Sequence, residues 1–266
     1  MTDSKWTTSI TNVEPNKILL RGLRVEELMG RVSFGDAVYL LLKGELPKAN
    51  EGKMIEAILV SVIDHGPTAP SAYTTRNIAS TGAELNAAVA GGILAISHYH
   101  GGAIEEGMDV LHEAVTFKRE NRLSTEEAAQ LVIEAYREAK KRISGLGHRL
   151  HTNDPRTARL FELAAEWGMS GEYVEMARAL EEAAEKSFGR KLPINADGAI
   201  AAVLCEMDFP TALADAFFMI ARVPGLVAHF HEERTRYKPL RKIDLSEIEY
   251  DGPEEKSLEL GSSEGD

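Results

Sequence analysis

Apolar side chains recur along most of the chain at the spacing of a helix rather than with the alternation of a strand. Leu160, Leu163, Ala164 and Trp167 stand at i, i+3, i+4 and i+7, and Tyr173, Met176, Ala177 and Leu180 repeat that spacing, so each set lies on one helix face. Gly168 and Gly171 supply the break between them. Ser124 and Glu127 have the spacing of a capping box, which predicts a helix from there to about Arg142. Residues 34–43 and 54–63 are apolar on more than one side, as helices covered by other helices are. Residues 86–97, crowded with Ala and Gly, predict a tight helix–helix or subunit contact. A further helix is expected over 211–221, ended by Val223-Pro224-Gly225. Short extended pieces are expected near 17–20 and in the C-terminal arm, with no strand–helix alternation of the kind a parallel sheet needs. The expected class is all-α.

Composition narrows the setting. The 266 residues are 44% hydrophobic and 27% charged, enough for one large core or two packed together. The single cysteine, Cys205, builds neither a disulfide framework nor a cysteine zinc cluster, and a reducing compartment is expected. A net charge of −12 argues against nucleic-acid or anionic-membrane partners, because such binding needs a cationic footprint. Residues 251–266 hold six acids and one lysine, −5 of that −12, and read as a solvated acidic tail. The first residues lack a charged segment followed by an apolar run, and the weakly polar stretch 87–96 is about half a bilayer span, so a cytoplasmic protein is expected.

Four islands of His, Asp or Arg beside Gly or Pro interrupt the helical text. They are Asp64-His65-Gly66-Pro67, then Tyr99-His100-Gly101-Gly102-Ala103, then Gly145-Leu146-Gly147-His148-Arg149 with Asp154-Pro155-Arg156, and finally Asn195-Ala196-Asp197-Gly198. Glycine lets backbone and neighbouring side chains approach a ligand, and loops on a rigid scaffold are where binding groups gather. One site fed by four connections is expected. Each island also has a plainer reading: Asp197 as a helix N-cap, His65 and His100 as hydrogen-bonded helix-end histidines, Arg156 as the partner of a surface carboxylate. Gly-Leu-Gly-His is too short for a nucleotide fingerprint, and no Gly-x-Ser-x-Gly occurs. His98/His100 and His229/His231 stand at i, i+2, which puts partners on different sides of a helix, so no metal is expected.

Taken in order, these islands resemble the citrate synthase superfamily, in particular its short citryl-CoA lyase branch, which includes the citryl-CoA lyase module of ATP citrate lyase. Residues 20–28 (LRGLRVEEL), 37–47 (AVYLLLKGELP) and Arg222-Val223-Pro224-Gly225 extend the likeness over nearly the whole chain. The resemblance implies a helical protomer with a large domain (1–101 and 199–250), a smaller inserted domain (102–198) that closes over a cleft, and the tail 251–266. It implies that His148 bonds the oxaloacetate carbonyl or the citryl hydroxyl and that Asp197 is the catalytic carboxylate. His100 falls on the histidine that stabilises the enol of acetyl-CoA, and His65 on the one that contacts the dicarboxylate. In the ATP citrate lyase module the counterpart of His65 is kept and that of His100 replaced. This chain has both, so the division of labour between them stays open.

The resemblance further implies that Arg149, Arg156 and Arg222 bind substrate carboxylates, for which a planar guanidinium is suited. The CoA chain would lie along Ile143, Gly145, Leu146 and Gly147, with Arg190 or Lys191 near its phosphates. A cation normally arrives from a neighbouring subunit just before a C-terminal proline; here Lys238 precedes Pro239, with Arg236 and Arg241 nearby, which implies at least a dimer. No bound cofactor is implied beyond the CoA thioester as substrate, with citryl-CoA, acetyl-CoA and oxaloacetate as ligands. The expected reaction is citryl-CoA cleavage, since synthases carry a longer N-terminal region. Citrate or 2-methylcitrate synthesis is the runner-up, and a catalytically silent CoA-binding helical scaffold stands in a different class.

Overall fold

A computed structural model describes residues 6–148 and 152–258. The chain opens with a small antiparallel sheet, β1 (Thr11–Glu14), β2 (Lys17–Leu20) and β3 (Leu23–Arg24), in the order β1-β2-β3 with Thr11 opposite Leu20 and Leu19 opposite Arg24. Among the described residues the longer elements after it are all helices: α1 (Val25–Leu28), α2 (Phe34–Lys43), α3 (Glu51–Ser61), α4 (Pro70–Ser80), α5 (Leu85–Leu94), α6 (Ala103–Asn121), α7 (Thr125–Glu138), α8 (Pro155–Glu166), α9 (Glu172–Phe188), α10 (Ala196–Glu206) and α11 (Ala214–Arg236). The all-α expectation holds. Helices α6 to α10 pack on one another, α3 to α5 gather against α11 with α2 laid on α3, and the two groups meet where α11 touches α6 and α3 touches α8.

Local chemistry accounts for most boundaries. Ser33 with Asp36, and Ser124 with Glu127, close reciprocal capping boxes that start α2 and α7. Helices α8 and α9 bury Leu160 and Ala164, and Met176, Ala177 and Leu180, of the stripes that their periodicity predicts; Leu163, Trp167 and Tyr173 pack against the core half-buried, and Phe161 and Val174 are buried beside them. Helix α10 is covered on almost every side: apart from Asp197, every residue from Ala196 to Cys205 is buried. A buried helix of small apolar residues thus presents one carboxylate, Asp197, in its first turn. Within the Ala/Gly-rich α5, a Cβ at Gly91 would lie 2.2 Å from Ile78 and one at Gly92 2.1 Å from Thr75, so this helix packs tightly on α4, as its composition predicts.

Three expectations need correction. Helix α7 ends at Glu138 rather than Arg142, because Lys140 takes a left-handed φ of 52° that turns the chain. Helix α11 does not stop at Val223-Pro224-Gly225 but runs through Pro224 to Arg236. The proline removes one backbone donor, yet Phe217, Phe218 and Ala221 before it and Leu226 after it are buried on the same scaffold, and this burial outweighs the local stop signal. The C-terminal arm forms no strand among the described residues, only a 3-10 turn over Leu245–Glu247.

Candidate active site

The islands converge on one cleft of about 1020 Å³ between the two helix groups. His65 comes from the α3–α4 turn, His100 from the α5–α6 loop, His148 from the loop before α8, Asp197 from the first turn of α10 and Arg222 from the middle of α11; all five line the cleft. Arg156, in the first turn of α8, joins them, as do Ile143, Leu146, Gly147, Arg190 and Lys191. Arg149 lies outside the described residues.

His100 is held in a defined protonation state. The Ser71 backbone N–H, at the start of α4, donates to its Nε2 at 3.3 Å, and the Ser71 hydroxyl lies 2.9 Å from the same atom. A nitrogen that accepts from a backbone N–H carries no proton, so the neutral ring keeps its N–H on Nδ1. Burial, with the nearby Arg222 and His65 charges, pushes the imidazole down to about 4. The ring is therefore a neutral donor at physiological pH, and its edge-to-face contact with Phe218 at 5.4 Å fixes its plane. His65 and His148 meet edge to face with centroids 5.9 Å apart.

Asp197 is not the cap of its helix. Asn195 is: its Oδ1 accepts from Gly198 N at 3.0 Å, and its own amide donates to the Gly147 carbonyl at 2.8 Å, tying α10 to the His148 loop. Freed from capping, Asp197 sits deep in the cleft, where burial pushes its carboxyl up to about 6 against the opposing pull of Arg156 and Arg222. That places the group near the pH at which it can act as acid or base.

The arginines differ. Arg156 forms a two-pronged pair with Asp154, Nε to Oδ1 at 3.0 Å and Nη2 to Oδ2 at 2.7 Å. Its partner is therefore a fully buried carboxylate that also caps α8, not a surface one. Burial alone would raise the Asp154 carboxyl; the Arg156 hydrogen bonds and charge hold it below its ordinary value. Arg222 is 1% exposed, donates Nε to the Val62 carbonyl at 3.0 Å and stacks over Phe218, yet its Nη1 is buried with no partner. A buried guanidinium with an unpaired donor at the wall of a cleft is suited to receive an anion.

The cleft holds groups that the sequence reading missed. Lys141 and Arg142 line its mouth beside Arg190 and Lys191, giving four exposed cations where two were expected. The run Lys140-Lys141-Arg142 before the glycine loop is their signal in the sequence, masked because the helical pattern continues over it. Ser71 was signalled only by Ala69-Pro70, a proline at the first helical position that announces free N–H groups. Gly145 does not line the cleft. It packs behind it, where a Cβ at Gly198 would lie 2.4 Å from the Gly145 carbonyl oxygen. Arg236 pairs with Glu232 one turn back at 3.0 Å, and neither it nor the exposed Lys238 lines the cleft. Among the described residues, no three His, Cys, Asp or Glu side chains converge on a metal-sized point.

Residues 48–243 match the family model of the citrate synthase C-terminal domain. A 2-methylcitrate synthase of Shewanella oneidensis is 30% identical over 226 residues, 83% of this chain and 57% of that protein. The chain spans about half the length of the curated relatives it matches. Among solved structures, the citryl-CoA lyase from Hydrogenobacter thermophilus superposes with a TM-score of 0.87 at 43% identity, covering 96% of this chain and 97% of that one. An ATP citrate lyase of Methanosaeta concilii, solved in complex with (3S)-citryl-CoA, shares the fold with a TM-score of 0.83 at 19% identity, covering 96% of this chain and 43% of that one.

Proposed function

The chain belongs to the citrate synthase family, and from that premise we propose that it is a citryl-CoA lyase, cleaving citryl-CoA to acetyl-CoA and oxaloacetate. The observation that carries the reading is the 43% identity to a citryl-CoA lyase along almost the full length of both chains. The cleft supports it with the groups the chemistry needs.

The reaction is a retro-Claisen cleavage. The tertiary hydroxyl loses its proton, its oxygen becomes the oxaloacetate ketone, and the electron pair of the broken C–C bond moves onto the thioester as an enolate, which takes a proton at carbon. In this reading His148 removes the hydroxyl proton, His65 holds the hydroxyl and adjacent carboxylate, and His100 offers Nδ1–H to the enolate oxygen. A neutral donor fixed by Ser71 is preorganised for that role. Asp197, raised toward neutrality, is protonated often enough to deliver the methyl proton. The proton lost to His148 and the one given by Asp197 balance, so the cycle consumes none. Arg156 and Arg222 receive carboxylates, and helices 102–198 close over the cleft as the small domain.

The four exposed cations at the mouth are assigned to the CoA phosphates. Replacing Lys141 and Lys191 together by alanine is expected to raise KM for the thioester about 5- to 30-fold while kcat changes little, because the contacts are equally made in ground and transition states. Exposed charges are screened, so the difference from wild type should shrink in high salt. Steady-state kinetics at two ionic strengths check both statements.

We also propose a homo-oligomer in the cytoplasm. Leu94 and Tyr99 are 83% and 88% exposed, and the arm carries Ile243, Leu245, Ile248 and Tyr250 largely uncovered, apolar surface of the kind that a second copy covers. Arg236 and Lys238 would then serve a partner's cleft.

Citrate or 2-methylcitrate synthesis is the second reading, favoured by the names of curated relatives. Supplying acetyl-CoA and oxaloacetate and following free thiol separates the two. A lyase condenses them without releasing CoA thiol. Stoichiometric thiol release with citrate formation would make the chain a synthase.

A further inference from the structure

His65 is the middle residue of a turn that is gripped from behind the cleft. Asp64 accepts the Gly66 N–H through Oδ2 at 2.9 Å, closing the turn over His65 while Gly66 takes a left-handed φ of 82°. Through Oδ1, Asp64 pairs with His229 Nε2 at 3.0 Å. His229 stands on α11, and its Nδ1 lies 3.4 Å from Arg76 Nη1. A guanidinium only donates, so Nδ1 accepts and the single ring proton sits on Nε2, aimed at Asp64. Arg76, 5% exposed, is itself held by Glu233 at 2.9 Å and Glu232 at 3.0 Å, and Glu233 takes Arg241 at 2.5 Å. On the same helix Gly225 passes so close that a Cβ would lie 2.5 Å from the Ile63 carbonyl and 3.1 Å from Asp64 Oδ1. None of Asp64, Arg76 and His229 lines the cleft.

We propose that the Arg76–His229–Asp64 chain is a positioning device for His65. It fixes the turn, and through it the imidazole, against His148, and it acts on the reaction only by way of His65. Burial alone would raise the Asp64 carboxyl, but the Gly66 N–H and His229 keep it below its ordinary value, so the acceptor end of the chain stays charged. The kinetic part of the inference rests on the citryl-CoA reading above; the geometric part does not.

The test compares His229→Leu, which deletes the donor, with His229→Gln, whose amide N–H can stand where Nε2–H stood. His229→Leu is expected to lower kcat for citryl-CoA cleavage about 10- to 100-fold, the cost of misplacing a group by about 1 Å, with KM nearly unchanged. His229→Gln should recover most of the rate. In a His65→Ala background, His229→Leu should add less than about a twofold effect, since the two act as one unit. Nitrogen-15 spectra of the histidine rings supply a readout independent of turnover: the His65 resonances should move in His229→Leu and stay near wild type in His229→Gln. The proposal is overturned if His229→Leu costs as much without His65 as with it, or if the His65 resonances are the same in all three proteins. A wild-type chain inactive on citryl-CoA would overturn the functional reading instead, and the ring spectra alone would then decide the positioning.

Discussion

Asp197→Asn is expected to leave a folded protein whose citryl-CoA cleavage is lower by about 10² to 10⁴, the usual worth of a positioned acid. The loss falls on kcat, because the amide has no proton to give to the enolate carbon and still fills the same space. In the wild type, with the carboxyl at about 6, the protonated form dominates below that pH and falls about tenfold per unit above it. Cleavage kcat/KM therefore declines above about pH 6, while condensation, which needs the carboxylate as base, rises through the same interval. Stability falls with rising pH as cleavage does, but at lower pH. Folding raises this carboxyl above the ordinary value of 3.8, so the unfolded chain releases its proton first, and the native state loses stability as pH climbs from about 4 to 6. Asparagine removes that penalty. A melting curve at pH 7.5 should show the variant more stable than wild type by roughly 1–2 kcal/mol after allowance for the solvent reaching the cleft. Had Asp197 been the helix cap, the variant would instead keep its turnover and lose no more than cap stability; the Asn195 side chain already fills that position.

Arg222→Met is expected to lower kcat/KM for citryl-CoA by about 10² to 10³, because a buried guanidinium meeting a carboxylate contributes several kcal/mol that an apolar side chain of similar length cannot replace. The free protein should melt close to wild type. Removing an unmatched buried cation stabilises it, while the Val62 carbonyl loses the donor that Nε supplies, and the two effects oppose. The informative comparison is ligand protection. Oxaloacetate at concentrations well above its Kd should raise the melting temperature of wild type by mass action and leave Arg222→Met unmoved. An unchanged shift in the variant removes Arg222 from the carboxylate site.

Much of the scaffold was legible in short-range pattern. The Ser124–Glu127 box and the Leu160 and Tyr173 stripes were read correctly because caps and apolar faces are set by residues three or four apart. The misreadings share a cause. Pro224 is a stop by the local rule, but the burial that carries α11 through it comes from distant helices. Lys141 and Arg142 continue a helical pattern on paper, and only the left-handed Lys140 turns them toward the cleft. The order of the motifs points to the residues that line the cleft. It does not give their chemical states: Ser71 fixes His100 across 29 positions, and Arg76 reaches His229 across 153. Pairings over such distances leave no trace in the spacing of a single sequence.

The most direct test of the account is to mix the purified chain with citryl-CoA and identify the products within the first turnovers. The reading predicts acetyl-CoA and oxaloacetate in equal amounts, with no free CoA thiol, and the same products at strongly reduced rate from Asp197→Asn. Free citrate and CoA as the enzymatic products, or intact citryl-CoA beside a folded wild-type protein, would contradict it.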